Sequence, residues 1–187
     1  MDLDSASIGM LAALIILVAF SAYFSATETA FTSLNRIRLK ARADDGNLRA
    51  ARTLKLAEDY DKLLSTILIG NNVVNITATT VATVLCTRWF HQYGPTVSTV
   101  ALTVIILIFG EITPKTSATL YSETMALRFA KPIYMIMQVL TPVIFIVDKL
   151  SQGVLRLLHV DPNKKQDAIT EDELRTIVEV SHEEGVI

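Results

Sequence analysis

Glu111 follows Gly110 and precedes Pro114 by three residues, at the close of a long apolar run that ends IFGEITPK. Proline has no amide to donate to the carbonyl four residues back, and its ring pushes that carbonyl aside, so Pro114 is expected to leave the Gly110 oxygen free. In a membrane interior a free carbonyl is costly unless it lines a cavity or meets a ligand. A carboxylate facing lipid is costlier still, which turns Glu111 inward. A carbonyl beside a carboxylate is the beginning of a site for a hard cation. A plainer reading stays open at this point: the membrane ends here, Pro114 stops the helix, and Glu111 pairs with Lys115 one turn on.

Two other apolar runs carry polar groups of the same chemical kind. Ser21, Ser25 and Glu28 fall at i, i+4 and i+7, one face of a helix. Each serine could merely bond its own i−4 carbonyl, an outlet that Glu28 lacks. The stretch IGNNVVN holds Gly70, Asn71, Asn72 and Asn75, with Asn71 and Asn75 one turn apart. Asparagines in an apolar span need partners, either across helices as glue or on an ion. Hydroxyl, amide, carbonyl and carboxylate oxygens are hard ligands, and without histidine or cysteine among them they suit magnesium, calcium or sodium better than zinc or copper.

These clusters must be positioned by membrane helices. Of 187 residues, 51% are hydrophobic, too many for an ordinary soluble domain. Uncharged runs cover 8–27, 63–87, 92–110 and 133–147. A hydrocarbon core of about 30 Å needs about 20 helical residues, so the first three runs can span and the fourth is short. Three spanning helices are expected, over about 8–33, 63–87 and 94–112. A kinked juxtamembrane helix is expected over about 132–158, opened by Pro132, bent by Pro142 and wrapping the spans as a belt. The fold class is therefore an all-α membrane protein.

Eight lysines and arginines between Arg36 and Lys62 place that loop in the cytoplasm by the positive-inside rule. The N-terminus then lies outside and the C-terminus in the cytoplasm of a multi-pass plasma-membrane protein. Asp44-Asp45-Gly46 divides the loop into two short helices, whose basic face lies against anionic lipid headgroups. The single Cys86 forbids an internal disulfide. Residues 161–187 read as a polar linker and an acidic helix, with Thr170 and Glu173 as its capping box. Because the sequence stops just after this helix, a further domain is expected to have been removed.

In this order, SATETAFTSLNRIRLK, LLSTILIGNNVVNI, FGEITPKTSA and ITEDELRTIVEVSHEEGVI resemble the transmembrane domain of the cyclin M / CorC family of magnesium transporters, also called the domain of unknown function 21. The resemblance covers the chain from Ser21 to Ile187. It implies a homodimer that exports Mg²⁺, in proposed exchange for Na⁺. It also implies an acidic helical bundle followed by a tandem CBS pair that binds ATP, so that ATP would act only through a region this sequence lacks. Carried onto matching positions, it places metal ligation on Ser21 or Ser25, on Gly70 and Asn71, and on Glu111. Together with the Gly110 carbonyl these are the candidate metal ligands. Glu28, Asn72, Asn75, Pro114 and Lys115 are candidates for supporting the ligands or holding a coupling ion.

The expected function is Mg²⁺ transport, with a membrane-anchored Mg²⁺ sensor that controls another transporter as the alternative. An enzyme is not expected. There is no H-E-x-x-H motif, and His91, His159 and His182 all lie outside the first three apolar runs and the fourth. No nucleic-acid partner is expected either.

Overall fold

The computed structural model describes residues 4–158. The chain divides into two units at Ile144 and Phe145. Every described element is helical: α1 (Ser5–Thr32), α2 (Arg36–Asp44), α3 (Leu48–Glu58), α4 (Tyr60–Phe90), a 3₁₀ turn (His91–Tyr93), α5 (Gly94–Ile105), a π-helical segment (Ile106–Ile112), α6 (Thr113–Leu120) and α7 (Ser122–Leu157). Three helical stretches are long and apolar enough to cross a membrane, Ser5–Thr32, Tyr60–Leu120 and Ser122–Leu157.

Local chemistry sets the ends of these helices. Asp4 caps α1 by accepting from the Ser7 amide at 2.9 Å. Its carboxyl is held below the ordinary range, first by the Ser7 side chain, then by the Ser7 amide, with Arg88 adding to the effect. Arg88, at the far end of α4, lies 3.5 Å from the same carboxylate. Asn35 and Asn47 cap α2 and α3 in the same manner. Between them Gly46 adopts a φ of +89°, a conformation that glycine enters without strain.

The Tyr60–Leu120 stretch doubles back on itself. His91 takes φ 51° and ψ −122° and ends α4. Gly94 then lies against the Thr87 backbone with no room for a Cβ, so α5 returns antiparallel to α4. Farther along, the Thr83 and Ser98 hydroxyls meet at 3.1 Å. All six α4 threonines bond their own i−4 carbonyls, which satisfies their hydroxyls within the helix.

Packing relies on small residues. Ala26, Ala30, Ala118, Ala126 and Ala130 are buried beside Phe24, Leu39, Leu63, Ile67 and Ile133. Between membrane helices lipid is as apolar as leucine, so close backbone approach replaces the hydrophobic effect as the source of cohesion. Tyr23 fixes α1 to α7: its ring meets Phe129 edge-on at 5.0 Å, and its hydroxyl donates to the Phe129 carbonyl at 3.4 Å. Arg42 ties α2 to α7 by an ion pair with Glu123 at 2.6 Å.

The fourth helix differs from its expected bounds. It starts at Ser122, about ten residues before Pro132, and both Pro132 and Pro142 lie inside it. Ala126 and Ala130, buried in the same core as α1 and α3, hold the added turns in place. Beyond Ile144, the described part of the second unit is the last stretch of α7. There Lys149 stands 5.6 Å over the Phe145 ring. The linker and acidic helix expected over 161–187 lie outside the described residues.

Candidate cation site between three helices

Ser21 is the meeting point. Fully buried on α1, it donates its hydroxyl proton to Asn71 Oδ1 on α4 at 3.1 Å. Asn75, one turn on, directs Nδ2 at the same oxygen at 3.5 Å. On the third side is Gly110 in the π segment, where a Cβ would sit 3.0 Å from Ser21 Oγ. A side chain there would oblige the Ser21 hydroxyl or the backbone to give by a few tenths of an ångström. Gly70 packs its backbone against the Phe24 ring, where a Cβ would overlap the ring and has no room. Two glycines thus let α4 and the π segment close on α1 at the level of Ser21 and Asn71.

Unsatisfied oxygens gather around this point. Ser25, 1% exposed, has no hydrogen-bond partner for its hydroxyl, and neither does Asn75 Oδ1. The bland fate of a helical serine, a bond to its own i−4 carbonyl, is the one Thr27 adopts with Tyr23 at 2.7 Å. Ser25 does not adopt it, and Ser21 reaches across to another helix. A buried polar group left unpaired costs about 1–3 kcal/mol. Ser21 gives its proton to Asn71, so its own lone pairs stay free to accept.

The backbone of the π segment adds to this set. The Thr113 amide bonds the Ile108 carbonyl, five residues back, where an α-helix would have joined it to Phe109. Pro114 offers no amide to Phe109 in the π register or to Gly110 in the α register. The Phe109 carbonyl thereby loses both helical donors, and Gly110 keeps only the Lys115 amide as a possible one. Reading Pro114 as an interruption of a plain α-helix points to Gly110 alone; the wider π turn adds Phe109. Such π segments are frequent at functional sites.

Glu111 is half-buried and faces a groove of about 300 Å³ shared with Asn75, Thr79 and Thr103. Asn75 therefore links the Ser21–Asn71 cluster to the carboxylate. The pairing of Glu111 with Lys115 considered from the sequence does not form. Lys115 instead meets Glu28 Oε2 at 3.2 Å, because the widened π turn removes the one-turn stacking that an α-helix would give residues 111 and 115. Asn72 stands apart, exposed and donating to the Leu68 carbonyl of its own helix at 2.9 Å. Ser21, Asn71, Asn75 and Gly110 are thus in direct proximity. Ser25 lies one turn along α1 and Gly70 adjoins Asn71. Glu111 lines the neighbouring groove, and Glu28 with Lys115 forms a separate pair.

Three threonines, Thr79, Thr99 and Thr103, also line the groove and escaped the sequence reading, since threonine is unremarked in apolar helices. The i, i+4 spacing of Thr99 and Thr103 on α5 is the signal that the sequence offers. Among the described residues, no three of histidine, cysteine, aspartate and glutamate gather. The donors here are neutral oxygens around one carboxylate, chemistry suited to a hard cation.

A helical membrane domain with an oxygen-lined cluster between its helices is the class these features define. The chain belongs to the cyclin M family: the model of the cyclin M transmembrane N-terminal domain matches residues 12–187. It is 35% identical over 165 residues to a UPF0053 protein of Haemophilus influenzae, covering 88% of this chain and 39% of that protein. It is also 35% identical over 162 residues to the UPF0053 inner membrane protein YfjD of Escherichia coli, covering 86% and 38%. A polyamine export protein of Salmonella typhimurium is 27% identical over 184 residues, covering 91% and 41%. The chain thus spans about two fifths of the length of these relatives.

Proposed function

We propose that this domain carries Mg²⁺ across the membrane, through a partly dehydrated oxygen site formed by Ser21, Ser25, Asn71, Asn75, the Phe109 and Gly110 carbonyls and Glu111. The observation that carries this reading is the pair of buried, unpartnered oxygens, Ser25 Oγ and Asn75 Oδ1, beside Ser21 where three helices meet. Mg²⁺ takes about six oxygens in near-octahedral geometry and dehydrates reluctantly. Ligands borne on helix backbones and packed against glycines are rigid enough to meet that demand. Basic residues concentrated between Arg36 and Lys62 orient that loop to the cytoplasm. The direction is export, exchange with Na⁺ supplies the driving gradient, and the working unit is a homodimer. ATP acts only through a CBS region beyond this chain.

Purified protein in liposomes loaded with a Mg²⁺-sensitive dye tests this. Mg²⁺ flux that responds to an opposed Na⁺ gradient and is lost in Glu111→Gln is the expected result. A domain that binds Mg²⁺ but moves none would be a sensor that controls another transporter. The relative named a polyamine export protein supplies a second arm, spermidine flux under the same conditions. Spermidine flux without Mg²⁺ flux would replace the metal reading with a polyamine one.

A further inference from the structure

A second cavity, of about 1000 Å³, opens between α3 and the first half of α7. Five basic side chains line it: Arg49, Arg52 and Lys55 on α3, Arg128 and Lys131 on α7. The spacing of three residues on both helices puts these charges on facing stripes. Asp59 is the only carboxylate in the lining, and among the described residues none of the five cations forms an ion pair. Like charges held around one cavity repel one another, so an anion that enters relieves the repulsion and gains charge-assisted hydrogen bonds.

The remaining wall has a different character. Leu56 and Met137 are buried at its base, while Tyr134 and Met135 stand half-exposed along α7. Val139, 76% exposed, extends the same apolar surface away from the charges. A cationic end that grades into an apolar end matches a molecule with an anionic head and a hydrocarbon tail. A free anion would use only the first, and an acidic peptide would leave the exposed apolar strip without a complement.

We propose that this cavity is a binding site for one anionic phospholipid, with its phosphate among Arg49, Arg52, Arg128 and Lys131 and its acyl chains along Tyr134, Met135 and Val139. The site differs from the diffuse attraction of a basic loop to a membrane surface, because it is built from two helices and has a definite occupancy. It does not depend on the transport reading. Bound lipid would brace α3 against α7, which is also held through Tyr23, Glu123 and the buried Ala126, Ala130 and Ile133.

Native mass spectrometry of the full chain in detergent, titrated with dioctanoyl phosphatidylglycerol, tests the proposal. One lipid should bind per chain, at least tenfold more tightly than dioctanoyl phosphatidylcholine. The Arg52→Gln/Lys131→Gln variant should lose at least tenfold in affinity for phosphatidylglycerol. Arg36→Gln/Lys40→Gln, which removes the same charge from α2 outside the cavity, should lose less than threefold. If the first variant fails to fold, Lys131→Gln alone, exposed at the rim, should still lose at least threefold. Equal binding of the two lipids would overturn the proposal, as would equal losses in the cavity and α2 variants. Saturable binding of inorganic phosphate at similar concentrations would make this a free-anion site. Displacement of the lipid by an equimolar peptide of residues 161–187 would assign the cavity to that acidic segment.

Discussion

Replacing Pro114 with alanine should raise stability and lower Mg²⁺ affinity, although the proline ring is no ligand. The register of the π segment fixes the reasoning. Because the Thr113 amide is committed to Ile108 and residue 114 has no amide, the Phe109 carbonyl has neither helical donor and the Gly110 carbonyl lacks its α-register one. Pro114→Ala places one new amide there, and it can bond Phe109 in the π register or Gly110 in the α register. Pro114 sits within the first two positions of α6, where proline is tolerated, so the full interior penalty of about 3 kcal/mol does not apply. The gain is one backbone hydrogen bond, about 0.5–1.5 kcal/mol net. For a cation to use that carbonyl, the same bond must be broken. With tenfold per 1.4 kcal/mol, Mg²⁺ affinity should fall about two- to tenfold.

Isothermal titration with Mg²⁺ and thermal unfolding of the same preparation measure the two effects. Pro95 is the control, since it also stands at the start of a helix, α5, but away from the oxygen cluster. Pro95→Ala should leave Mg²⁺ affinity unchanged. Opposite signs for stability and affinity at Pro114 alone mark a site made by opening a helix. Unchanged affinity in a stabilised Pro114→Ala protein would remove both carbonyls from the ligand set. A loss of stability would show that the proline ring supports packing instead.

Glu111→Gln should weaken Mg²⁺ binding at least tenfold by titration while leaving the unfolding temperature within a few degrees, because shape and one oxygen survive; unaltered binding would move the charge requirement towards Glu28. Ser25→Ala removes a buried hydroxyl with no partner, so thermal unfolding should show no loss of stability and a gain of up to about 1 kcal/mol, while Mg²⁺ affinity drops; a stability loss above 1 kcal/mol would mean that the hydroxyl is bonded in the folded protein. Gly70→Ala drives a methyl into the Phe24 ring and should cost about 1–3 kcal/mol, whereas Gly9→Ala meets nothing within 4 Å and should be neutral or stabilising by up to about 1 kcal/mol; equal effects at the two positions would refute the close approach of α1 and α4.

What the sequence made legible was what depends on helical periodicity within one segment. The i, i+4 spacing puts Ser21 and Ser25 on one face, and both are buried; the same spacing sets Asn71 and Asn75 one turn apart, and they touch. Uncharged runs located α1, α4 and α5 because length and composition suffice for that. The reading faltered where periodicity itself changes. An α-helical ruler laid across residues 106–115 pairs Glu111 with Lys115 and frees one carbonyl. The π turn rotates everything beyond it, so Lys115 goes to Glu28 and a second carbonyl loses its donor. Neither Gly110 nor Pro114 announces this by itself. Glycine permits the close approach to Ser21, and proline removes the amide that would restore the α register, so the shift needs both together with a neighbouring helix for the glycine to touch. The same limit explains α7: Pro132 suggests a helix start by local rule, but Ala126 and Ala130 pack into the shared core and carry the helix back to Ser122. Tertiary contact decides both cases. The oxygen cluster is therefore a property of three helices in contact, and substitutions at Gly70 or Gly110 should disturb it as surely as the loss of a ligand.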